Sequence, residues 1–138
     1  MPAIMCLTMI TKRVLIIVVH GLVGWALCAA TMFIGMATTT IENTLVVHAI
    51  AAPLFFAFAS LIYVRYCNYT TPLVTAAIFL TIVVAIDLFL VALIINRSLD
   101  MFTSVLGTWV PFALIFASSY FTSMYAVRFL KTKERGAS

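Results

Sequence analysis

Charge is what this sequence has least of. Eight Lys or Arg and four Asp or Glu make up 9% of 138 residues, against about a quarter in an ordinary soluble domain. Hydrophobic residues make up 65%. That excess cannot be hidden in one water-soluble core of this size, and it excludes intrinsic disorder. Cysteine is scarce too. Cys6, Cys28 and Cys67 are odd in number, form no CxxC pair and have no metal-ligand spacing, so free thiols are expected and a disulfide framework is excluded. The sequence also lacks HExxH, a glycine-rich phosphate loop, a Cys/His cluster and a nucleophile–base pattern. No enzyme acting alone and no metal site is expected. The paired cysteines of quinone-coupled thiol oxidoreductases are missing, as is the first-helix glutamate of small multidrug transporters.

What is present is four long apolar stretches: Val14–Ala37, Thr44–Val64, Pro72–Ile95 and Met101–Val127. Each exceeds the roughly 20 residues a helix needs to cross a bilayer core of about 30 Å. In lipid each must be α-helical, because a helix satisfies its own backbone polar groups. The expected fold is all-α, an integral membrane four-helix bundle running up-down-up-down. Met1–Ile10 is only moderately apolar and precedes Lys12–Arg13, the reverse of a cleaved signal, so a retained first helix after a short tail is expected.

The few charges set the orientation. Lys12, Arg13, Arg65, Arg128, Lys131, Lys133 and Arg135 fall on one side, and only Arg97 on the other. This bias puts both termini on the cytoplasmic side of the inner (cytoplasmic) membrane. The net charge of +4 is topogenic and does not point to nucleic acid. The basic tail Lys131–Arg135 is expected at the anionic inner leaflet.

The two halves match at an offset of 58 residues. Thr40-Ile41-Glu42 aligns with Ser98-Leu99-Asp100, Pro53 with Pro111, and Phe58-Ala59-Ser60 with Phe116-Ala117-Ser118. Two parallel helical-hairpin repeats are therefore expected, 14–66 and 67–128, between a tail at 1–13 and a basic tail at 129–138. Pro53 and Pro111 each remove a helix hydrogen bond, and matched kinks are expected there.

Small residues mark the packing faces, since close backbone approach joins helices where no hydrophobic effect can. Helix one has Gly21, Gly24, Cys28, Thr31 and Gly35 in one stripe, and helix two has Ala49, Ala52 and Ala59. Helix four has Ser104, Thr108, Pro111, Ser118 and Thr122. On helix three the stripe Ala77, Thr81, Ala85 and Ala92 lies away from Asp87. With Asp87 facing inward, that stripe faces outward, toward a second copy or a membrane-complex partner.

His20, His48 and Asp87 are the ionisable residues inside the apolar stretches, and such residues are functional candidates. At 1.5 Å per residue, His20 lies about 10 Å from the cytoplasmic ends, Asp87 about 22 Å and His48 about 26 Å. A depth difference of about 15 Å keeps the two histidines from sharing one haem. His48 and Asp87 share a level, with Thr31 and Thr108 nearby, and a carboxylate beside an imidazole suits a shared proton or cation. A second polar group is expected where His20 meets Ser60 or Tyr63. Trp25 sits deep, and its indole N–H needs a partner. Neither polar residue of the first pair recurs in the other repeat, where Leu106 matches His48 and Ala29 matches Asp87.

These features point to a conduit or carrier for a small solute, cation or proton. The alternative is a membrane anchor or electron-transfer subunit binding haem or quinone, or a structural or assembly subunit. No cofactor is assigned by the sequence.

Overall fold

The computed structural model describes residues 2–136, with side chains described from Thr8 onward. Met1, Ala137, Ser138 and the Cys6 side chain lie outside the described residues, and with them the outermost parts of both expected tails. Four α-helices form the molecule: α1 (Pro2–Thr38), α2 (Ile41–Tyr66), α3 (Pro72–Ile86) and α4 (Val110–Gly136). Between α3 and α4 the backbone changes pitch. Asp87–Asn96 winds in wide π turns, Asp100–Thr103 in a tight 3-10 turn, and Val105–Trp109 in π turns again.

Local chemistry sets the ends. The Thr40 hydroxyl accepts from the Asn43 N–H and caps α2, and the Thr71 hydroxyl accepts from the Val74 N–H and caps α3. Such caps satisfy donors the first turn leaves free. Pro72 follows in the first turn, where its missing N–H costs nothing. At the end of α2, Cys67 and Asn68 both donate to the Tyr63 carbonyl, at 2.9 and 3.0 Å. Asn68 takes φ 47°, a left-handed conformation asparagine tolerates.

Among the described residues four helices are long and apolar enough to cross a membrane. They meet the expected stretches but overrun them at both termini. α1 begins at Pro2 instead of Val14, giving a rod on the order of 55 Å. α4 continues through the basic segment to Gly136. Outward positions on the bundle are apolar, with Phe33, Leu54 and Ile94 all exposed. Small and polar residues fill the inside, with Ala52, Ala76, Ser60, Thr75 and Ser119 fully buried. This distribution is compatible with a bundle that crosses a membrane.

α1 packs on α2 and α3, and α4 packs on the same two helices, while α2 and α3 meet mainly through side chains, Phe56 and Tyr63 against Phe79. Glycine sets the closeness. A Cβ on Gly24 would lie 2.9 Å from the Phe56 ring of α2. One on Gly21 would lie 2.7 Å from Ile82 of α3, and one on Gly35 2.5 Å from Thr44 of α2. Phe56, Phe79 and Tyr63 then stack edge to face in the centre.

Two packing expectations need correction. On α4 the buried positions are Pro111, Phe112, Ile115, Ser119 and Ser123, so the seam runs one residue past Ser118 and Thr122, which are half-buried. The seam steps by four, as a helix wedged between two neighbours does when both cover it. On the third helix Ala77 and Thr81 are exposed, but Ala92 is fully buried. The π turns from Asp87 take more residues per turn, so Ala92 no longer shares a face with Ala77.

The two prolines also differ. Pro53 sits inside the continuous α2, whereas Pro111 is buried at the start of α4, directly after the π turns.

Candidate functional site

Asp87 finds its partner on α1. The Trp25 indole Nε1–H donates to Asp87 Oδ1 at 2.8 Å. The glycine stripe brings this about. Gly21 and Gly24 let α1 lie close to α3 and α2, and Trp25, next to Gly24, then reaches the end of α3. Burying a carboxyl away from water is costly unless it is hydrogen-bonded, and a charge-assisted bond is the stronger kind. Buried Cys28 stands three residues beyond Trp25 on the same helix. Asp87 is also where the chain changes pitch. Its N–H is shared between the Val83 and Val84 carbonyls, and the π turns follow at once. Such turns recur at functional sites.

The four residues grouped by depth do not form one hydrogen-bonded cluster. His48 is half-buried, and its Nδ1 is enclosed without a hydrogen-bond partner. The Thr31 hydroxyl donates to the Leu27 carbonyl of its own helix at 2.9 Å. Thr108 is buried and donates to the Met101 carbonyl at 2.6 Å, bracing the turns before α4. Among the described residues no hydrogen bond or ion pair joins His48 to Asp87. His48 lies on α2 and Asp87 at the end of α3, and the contacts that join these helices fall elsewhere, at Phe56, Tyr63 and Phe79 and through Thr70 and Thr75. Equal depth does not fix position around a bundle.

The second group is brought together in part. The His20 ring stands edge-on to Tyr63, with centroids 5.7 Å apart, and His20 Nδ1 lies 2.8 Å from the Ile16 carbonyl. Tyr63 is fully buried, and its hydroxyl meets Thr70 at 3.0 Å. Thr70 meets Thr75 at 2.7 Å, and Thr75 lies 3.0 Å from the Thr71 carbonyl. A carbonyl only accepts, so Thr75 donates to it, Thr70 donates to Thr75, and Tyr63 donates to Thr70. This hydroxyl relay ties α2 to the start of α3. The sequence signal for it was Thr70-Thr71-Pro72, a helix start beside the end of α2. Ser60 is fully buried with no hydrogen-bond partner, as are Ser119 and Ser123.

Trp25 completes the site around Asp87 and was not grouped with it by depth. The signal for Trp25 was its own unmet N–H. No three His, Cys, Asp or Glu side chains gather as a metal site among the described residues. No protein-family model, curated protein or solved structure matches the chain.

Proposed function

We propose that this chain is a multi-pass protein of the cytoplasmic membrane that passes a small cation or proton, with Asp87 as its central carboxyl. One observation carries the reading: a mid-span aspartate is held by Trp25 through a single oxygen, at the point where the helix widens into π turns. Trp25 is the positioning residue, and buried Cys28 stands three residues beyond it. The second carboxylate oxygen is then available to a transferred cation or proton. His48 acts apart from this pair.

Both termini face the cytoplasm in this reading, supported by the seven-to-one distribution of Lys and Arg. The helices alternate up and down as two parallel hairpin repeats. The pairs Gly35–Thr44 and Gly24–Phe56 step in opposite directions along α1 and α2, which supports the first hairpin. Exposed Ala77 and Thr81 offer a face for a second copy or a larger membrane complex.

The test is flux in proteoliposomes under an imposed pH or cation gradient. Wild-type protein is expected to dissipate the gradient, and Asp87→Asn to abolish the flux while keeping the Trp25 hydrogen bond in reach. Undiminished flux through Asp87→Asn sinks the proposal.

A further inference from the structure

The cytoplasmic ends of α2 and α4 enclose a cleft of ≈ 340 Å³ that the Asp87 reading does not use. Its volume falls in the roughly 300–1,000 Å³ range of small-molecule sites. Arg65, Lys131 and Glu134 line it, with the Asn68 amide beside them and Val64 and Leu130 as apolar wall. Arg65 and Lys131 are exposed, and neither has an ion-pair partner among the described residues. Two cations face one carboxylate, so the cleft favours an anion. Its level narrows the choice further. Arg65 stands where the apolar run of α2 ends, and Lys131 where that of α4 has just ended. The cleft is therefore polar above and apolar below at the plane where phosphates of the anionic leaflet lie.

We propose that this cleft binds the phosphate headgroup of an anionic phospholipid, one molecule seated between Arg65 and Lys131. The Asn68 amide donates a further hydrogen bond, and the half-buried Leu130 receives the first methylenes of the lipid. The opposing Glu134 carboxylate keeps the site from accepting a second anion. The inference is independent of the Asp87 reading.

Native mass spectrometry of the full chain in detergent tests it, with phosphatidylglycerol and phosphatidylcholine of identical chains as probes. Preferential retention of one phosphatidylglycerol is expected. Near-surface attraction of about 1 kcal/mol per Lys or Arg converts to about fivefold per cation removed and about 25-fold for Arg65→Gln with Lys131→Gln. The charge-conserving pair Arg65→Lys and Lys131→Arg should keep the preference, which separates lost charge from lost fold. Lys133→Gln removes the same charge from the same helix outside the cleft, and should matter less than either cleft substitution. Equal retention of the two lipids, or equal effects of Lys133→Gln and Lys131→Gln, overturns the proposal. An inorganic phosphate arm distinguishes the sources. Phosphate retained with the same Arg65 and Lys131 dependence, and no preference for the anionic lipid, assigns the cleft to free phosphate and overturns the lipid.

Discussion

The first hairpin is plain where the second is irregular. α1 and α2 are α-helical to their ends, with only Thr39 and Thr40 between them. Their hydroxyls fold back onto their own helices: Thr31 to Leu27, Thr38 to Ile34, Thr44 to Thr40. At the matching end of the second hairpin the backbone passes through π, 3-10 and π turns. There the side chains hold the turns together. Ser104 accepts from the Gly107 N–H, Thr108 donates to Met101, and the Trp109 indole donates to Phe102. Arg97, at φ 52°, closes the first π segment by donating to Ala92. Two stretches similar in sequence thus reach different backbones, and the irregular one starts at Asp87. The backbone departs from a regular α-helix where the one carboxyl inside an apolar span, Asp87, stands.

The largest effect expected from this contrast concerns the two polar candidates. Asp87→Asn should abolish flux, and His48→Gln should reduce it far less, because no bond joins them. In the double variant their effects on thermal stability should add to within about 0.3–0.5 kcal/mol. Strong coupling would show that the two hairpins share one site after all.

Next comes packing. Gly24→Ala drives a methyl into the buried Phe56 ring, which is boxed in by Phe79. Overpacking of that kind costs about 1–3 kcal/mol. Gly107→Ala meets chiefly the Ser104 hydroxyl at 2.9 Å, which can move aside at the cost of its one bond from the Gly107 N–H, about 1 kcal/mol. Thermal unfolding in detergent should rank Gly24→Ala well below Gly107→Ala in stability. The reverse order would mean that the second hairpin, not the first, is the rigid half.

Smaller again is Thr108→Val. It leaves the shape of a buried side chain but removes its bond to Met101. Interhelical and local bonds in membrane proteins average about 0.6 kcal/mol with a maximum near 1.7. The loss should appear as faster amide exchange confined to residues 100–109, with α1 and α2 unchanged.

Much of the fold could be read from the sequence because lipid is a strict solvent. Four apolar stretches admit few alternatives to four helices, and the glycines of α1 and alanines of α2 named their buried faces: Gly21, Gly24, Cys28, Ala49, Ala52 and Ala59 are all buried. The site was harder to read. Depth follows from counting residues at a fixed rise, and that arithmetic put His48 level with Asp87. Lateral position depends on which helix faces meet, and nothing in a single sequence says that Asp87 turns to Trp25 of α1. The π turns were equally hidden. Hydrophobic periodicity carries no record of them.

Thr31 gives the finest test of the comparison. By depth it belongs with Asp87, but its hydroxyl is spent on the Leu27 carbonyl within α1. Such a bond is local, and the side chain is only half-buried. Thr31→Val should then change stability by less than about 0.5 kcal/mol and leave proteoliposome flux unaltered. Cys28, one turn earlier on the same helix, is buried three residues from Trp25, and Cys28→Val should disturb flux more. If Thr31→Val instead matched Cys28→Val, the outer turn of α1 would have to face the transferred ion. The first hairpin would then supply part of the path as well as the Trp25 that positions Asp87.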